Sequence, residues 1–146
     1  MSNGAGLVLR IERTFDAPVE EVYAAWTSEE VMRRWWYVGD IPEDVSVEVD
    51  VRVGGKLRLV VRSSDGDVRG GRGEYVEVDP PRRLAYTWRW DHEPRERQLV
   101  EVEFSDQGEA TKVILTNSGF KTEERRDAHA EGWPKCFDLL ERALAG

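Results

Sequence analysis

Residues 122–145 read TEERRDAHAEGWPKCFDLLERALA, and the reading of this stretch decides the fold. Trp133, Phe137, Leu140 and Leu144 fall at i, i+4, i+7 and i+11, a single apolar stripe at the helical period. Cys136, Leu139 and Ala143 widen the stripe, while Glu131, Lys135, Asp138, Glu141 and Arg142 lie mostly off it. A stripe carrying Trp and Phe needs a broad apolar cover. Thr122 is placed to act as N-cap, with Glu123 and Glu124 in the first turn, where negative charge suits the helix dipole. Gly132-Trp133-Pro134 interrupts the pattern. Pro134 removes the hydrogen bond to the Ala130 carbonyl, so a kink is expected that swings the Trp133 indole inward.

The preceding residues supply the cover. Residues 7–15 alternate Leu7, Leu9, Ile11 and Arg13 against Val8, Arg10, Glu12 and Thr14, the pattern of a strand with one buried face. Asp16-Ala17-Pro18 ends it, with Pro18 suited to the first helical position and Asp16 placed as a capping carboxylate. Val19, Val22, Tyr23 and Trp26 then predict a short helix over 18–26. Thr27 and Glu30 have the spacing of a capping box that opens a second helix ending at Trp35-Trp36. Residues 37–44 form the longest irregular stretch, suited to lie over an opening.

From Val45 the period changes to two. Val45, Val47, Val49, Val51 and Val53 share one face, and Gly54-Gly55 makes the turn into a strand with Leu57, Leu59 and Val61 inside. Residues 68–78 form the next strand, whose Gly70, Gly71 and Gly73 predict a bulge or bend. Leu84, Tyr86, Trp88 and Trp90 make an aromatic ladder. After a polar loop over 91–96, Val100, Val102 and Phe104, then Thr111, Val113 and Leu115, mark the last two strands. The order is strand, two helices, six strands and a long helix. It predicts an α+β fold with a curved antiparallel sheet closed around the C-terminal helix.

Composition narrows the function classes. At 146 residues the chain reads as one domain, large enough for a sizeable core. A formal net charge of -8 argues against a general affinity for nucleic acid or anionic lipid. The pairs Arg33-Arg34, Arg82-Arg83 and Arg125-Arg126 are isolated among acids and read as solvated faces. The lone cysteine, Cys136, excludes an intramolecular disulfide and a cysteine-built zinc site. Neither an export signal nor a segment of transmembrane length is visible, so a cytoplasmic protein without membrane insertion is expected.

Particular residues within this order resemble a known family. Phe15-Asp16-Ala17-Pro18, Val22, Ala25-Trp26-Thr27 and Arg34-Trp35-Trp36 look like the opening of START-like (SRPBCC) proteins related to activators of the heat-shock-protein-90 ATPase. Gly54-Gly55, Val78-Asp79-Pro80-Pro81-Arg82-Arg83-Leu84 and Thr87-Trp88 are similar to its middle strands. Ser118-Gly119-Phe120 and Gly132-Trp133 with Leu140 match its closing signature. The resemblance implies a helix-grip fold, one START-like domain over residues 1–146, with a seven-stranded sheet, a long C-terminal helix and an internal apolar cavity. The wider superfamily it implies includes binders of lipids and other hydrophobic molecules and a few cyclases and hydrolases. Its motifs transfer the fold better than any activity.

Trp35, Trp36, Trp88, Trp90, Phe120, Trp133 and Phe137 form the candidate ligand-binding set. Each also reads as a core residue between sheet and helix, but six tryptophans exceed what packing a chain this size needs. No catalytic constellation stands out. His129 and Cys136 are about 10 Å apart along a helix, His92 lies in a polar loop, and Glu101 and Glu103 face away from the Val100, Val102 and Phe104 side. Two histidines without ligand spacing offer no metal site, and no cofactor is expected. The expected function is a small-hydrophobic-molecule binder, leaning away from an enzyme. The alternatives are a module that modulates a chaperone ATPase and a cyclase or hydrolase in the same cavity. A monomer or a homodimer is compatible with these faces.

Overall fold

The computed structural model describes residues 7–36 and 44–145. The element order is β1 (Val8–Phe15), α1 (Val19–Thr27), α2 (Glu29–Trp35), β2 (Asp44–Val49), β3 (Lys56–Arg62), β4 (Val68–Asp79), β5 (Arg83–Trp90), β6 (Gln98–Asp106), β7 (Thr111–Ser118) and α3 (Glu123–Ala145). The strands form one seven-stranded sheet in the order β1-β7-β6-β5-β4-β3-β2. Every pairing is antiparallel, and β1 returns to lie against β7 from Val8↔Ser118 to Phe15↔Thr111. This is the curved sheet and long terminal helix of the helix-grip α+β fold.

The period-two faces point as their sequence dictates. Leu57, Leu59, Tyr75, Leu84, Tyr86, Trp88, Val100, Val102, Phe104, Val113 and Leu115 are buried on the face towards the helices. Glu103 lies on the other side, where it pairs with Arg83. Opposite, α3 buries Cys136, Phe137 and Leu140 and packs most closely on β1, α2 and α1. Arg13 ties the sheet edge to it: Nη1 donates to Asp138 Oδ1 at 2.8 Å, and the guanidinium lies 5.7 Å from the Phe137 ring centroid.

Several local expectations are corrected. Pro18 is the N-cap of α1, one position before the first helical residue expected for it, and supplies no side-chain capping bond. The second cap is Ser28, whose hydroxyl accepts from the Val31 N–H; the Thr27 hydroxyl instead donates back to the Tyr23 carbonyl, and with Val31 three residues after the cap the reciprocal half of the expected capping box is lost. The strand expected to run through Val53 ends at Val49, because the Arg52 N–H bonds back to the Asp50 carbonyl and the Gly55 N–H to the Arg52 carbonyl, which starts the turn early. The register shift in β4 lies between Tyr75 and Glu77, not at the glycines. Gly71 and Gly73 serve close approach: a side chain at Gly71 would collide with the Trp88 indole, and one at Gly73 with the Thr87 carbonyl. Thr122 does cap α3, accepting from the Arg125 N–H at 3.1 Å. The helix continues unbroken across Pro134. Of the irregular stretch expected to lie over an opening, residues 37–43 fall outside the described residues.

Candidate functional site

Between α3 and the middle strands, large aromatic rings bridge the gap. Trp36 meets Trp88 at 5.1 Å between centroids and Tyr86 at 6.0 Å; Tyr86 meets Tyr75 at 6.1 Å. From the helical side, Trp26 contacts Trp35 at 4.6 Å, Phe104 at 5.4 Å and Phe137 at 5.8 Å. All the pairs are edge-to-face, the geometry that ring quadrupoles favour.

This interior is not purely apolar. Tyr23 Oη, Trp26 Nε1, Tyr75 Oη and Tyr86 Oη are buried and have no hydrogen-bond partner among the described residues. A buried polar group without a partner carries a desolvation cost of about 1–3 kcal/mol. Burial pushes the Tyr86 hydroxyl far above its ordinary pKa, opposed by the indoles of Trp36 and Trp26, which approach its oxygen. Neither approach satisfies it, since Tyr86 Oη and Trp26 Nε1 both stay unpartnered. Tyr75 is likewise pushed up, first by burial and then by Tyr23, Asp50 and Glu29. Burial, with Asp79 adding to it, raises Tyr23 to about 12.

At the N-terminal half of α3 the polar groups are, by contrast, joined to one another. Glu96 is 1% exposed. Its Oε2 accepts from Arg125 Nε at 2.7 Å and from the Lys121 N–H at 3.0 Å, and its Oε1 accepts from Gln98 Nε2 at 3.0 Å. Burial acts to raise the Glu96 pKa, but these donors outweigh it and hold the carboxyl below its ordinary value. Gln98 Oε1 accepts from Asn117 Nδ2, and Asn117 Oδ1 accepts from the Trp133 indole at 3.0 Å. His129 Nδ1 lies 2.8 Å from the Arg125 carbonyl, which can only accept, so that nitrogen carries the proton. Nε2 then accepts from the Trp90 indole at 3.1 Å.

The candidate residues therefore divide. Trp90, Phe120 and Trp133 belong to this polar seam, with Phe120 4.9 Å from the His129 ring. Trp35 is anchored too, its indole donating to the Ala25 carbonyl at 2.9 Å. Trp36, Trp88 and Phe137 line the aromatic interior beside the unpartnered atoms. Two expectations change here. Arg125 is not on a solvated face but pairs with a buried carboxylate, and the loop over 91–96 ends in that carboxylate. Composition carried no signal for either, since both depend on the β5–β6 connection folding under α3.

Two clefts, of about 300 and 280 Å³, open elsewhere on the described surface. One is lined by Arg58, Val60, Val68, Arg69, Gly70, Asp91 and His92, the other by Val19, Glu20, Pro81, Arg82, Phe104 and Asp106. Neither lies between α3 and the aromatic ladder, where the resemblance implies a cavity. Among the described residues, no group of three or more His, Cys, Asp or Glu side chains is gathered as a metal ion would require. None of the described helices is long and apolar enough to cross a membrane.

A family model described as activator of Hsp90 ATPase homolog 1-like protein matches residues 16–145. No curated protein matches the sequence. Among solved structures, protein CV1439 from Chromobacterium violaceum superposes with a TM-score of 0.80 at 22% identity, covering 95% of this chain and 98% of that one. A putative uncharacterized protein from Rhizobium leguminosarum gives 0.78 at 26%, covering 94% and 93%. CalU16 from Micromonospora echinospora gives 0.70 at 25%, covering 94% of this chain and 75% of its own.

Proposed function

Because the chain belongs to the family of activator of Hsp90 ATPase homolog 1-like proteins, we propose that it uses the interior of its helix-grip fold to bind a small hydrophobic molecule. One observation carries the reading: the buried, unpartnered polar tips of Tyr23, Trp26, Tyr75 and Tyr86 amid edge-to-face aromatic rings. A core selected for packing alone would use Phe at those positions and avoid the desolvation cost. Trp36, Trp88 and Phe137 form the apolar wall. Trp35, Trp90, Phe120 and Trp133 hold the surrounding frame, and the Glu96–Arg125 seam closes one end. Rings of this size occupy the space when no ligand is bound, and entry requires some of them to turn. Titration with a panel of neutral lipophilic molecules, followed by tryptophan emission, tests the reading. A saturable change is expected; silence across the panel contradicts it.

A second reading draws on the location of the clefts, both outside the interior. A filled core fits a protein-interaction module that modulates a chaperone ATPase. Adding the protein to a heat-shock-protein-90 ATPase assay separates the two: stimulation without ligand favours the second, and no effect alongside saturable ligand binding favours the first.

A further inference from the structure

We propose that the molecule taken into this interior is neutral and carries a hydrogen-bond acceptor, such as a carbonyl oxygen, placed against the Tyr86 hydroxyl and the Trp26 indole N–H. The inference rests on the binding reading above and adds the chemistry of the ligand. Trp26 Nε1 is a donor only and is fully buried, so only an acceptor satisfies it. Tyr86 is 2% exposed, and the Trp26 indole lies against its hydroxyl while both atoms stay without a hydrogen-bond partner. An oxygen with two lone pairs receives both donors.

Charge decides against an anion. The charged side chains acting on the neighbouring buried hydroxyls are carboxylates, Asp79 on Tyr23, and Asp50 and Glu29 on Tyr75, and no cation acts on the Tyr86 hydroxyl. Arg13, which lies over the Phe137 ring from the sheet edge, is already paired with Asp138. A fatty-acid or phosphate headgroup would be desolvated with no cation to receive it, a cost that burial makes prohibitive. A hydrocarbon of the same shape would fit but leave both donors unsatisfied.

Three probes of one ring system separate these cases: 2-acetylnaphthalene (neutral acceptor), 2-isopropylnaphthalene (neutral, no acceptor) and 2-naphthoate (anion), each titrated by calorimetry. The ketone is expected to bind about tenfold tighter than the hydrocarbon, the discrimination one hydrogen bond supplies, and the anion weakest. In Tyr86→Phe, which keeps the ring and leaves the Trp26 N–H as donor, the ketone's advantage should shrink to about threefold while the hydrocarbon's affinity is kept. If the hydrocarbon matches the ketone in the unmodified protein, or the anion binds best, the acceptor inference is overturned while the binding reading stands. If none of the three binds, both fall.

Discussion

The Trp90 indole N–H donates to Nε2 of His129 at 3.1 Å, while Nδ1 of the same ring holds its proton against the Arg125 carbonyl at 2.8 Å. A second proton would place an N–H against the indole N–H. Burial is the main cause that keeps the His129 pKa below 6.5; the Arg125 carbonyl and Glu96 act to raise it, and Arg125 and His92 add to the lowering. A basic group depressed on folding contributes stability that is full above its unfolded pKa. Between 6.5 and the lower folded value, the unfolded chain binds the proton and the folded one does not, so stability falls as pH falls through that window. Urea midpoints at stepped pH, compared with His129→Gln, check this. The unmodified protein should lose more stability than the variant on going below 6.5, and an equal loss contradicts the assignment.

Replacing the unpartnered hydroxyls should stabilise the free protein. Tyr75→Phe and Tyr86→Phe each remove a buried polar atom without opening a cavity, and each should gain about 1 kcal/mol in denaturant unfolding. Stabilisation at the expense of ligand recognition is the trade expected of a binding residue. A loss of similar size would mean that the hydroxyl is bonded in the folded protein.

Glu96 should behave as the keystone of the seam. Glu96→Ala leaves Arg125, Gln98 and the Lys121 N–H without their acceptor and should cost about 3 kcal/mol. Because its carboxyl is held below the ordinary 4.5, its contribution is full above that pH and is lost as pH falls through the folded value. Glu96→Gln should remove that part of the acid sensitivity while costing less than the alanine variant. Unfolding curves between neutral pH and acid distinguish them.

Trp133 separates frame from wall. If it is frame, as its bond to Asn117 indicates, Trp133→Ala should cost about 3 kcal/mol. Trp133→Phe should cost about 1 kcal/mol for the unpaired Asn117 oxygen, with ligand affinity nearly unchanged in the phenylalanine variant. A stable phenylalanine variant that no longer binds ligand would place Trp133 in the wall instead.

Most of the architecture was legible because it is periodic. The alternation at Leu84, Tyr86, Trp88 and Trp90 and the stripe from Trp133 to Leu144 each name a buried face without reference to the rest of the chain. Errors came where neighbours compete for one role. Thr27 and Ser28 both carry capping hydroxyls, and Val51 and Val53 continue an alternation that the turn at Asp50 cuts short. The site was legible only as a set of aromatics. Which indoles are anchored depends on partners far apart in sequence, His129 for Trp90 and Asn117 for Trp133, and no local pattern reports such pairs. Tyr86 and Trp26 read as core for the same reason: an absent partner leaves no trace in a sequence.

One asymmetry among the indoles is decisive: the Trp26 N–H is unpartnered while those of Trp35, Trp90 and Trp133 are engaged. The most direct measurement is the indole region of a proton–nitrogen correlation NMR spectrum during titration with 2-acetylnaphthalene. The Trp26 resonance should move downfield to saturation as its N–H gains an acceptor, with those of Trp90 and Trp133 nearly still. A Trp26 signal that stays in place while the ligand binds would contradict the account.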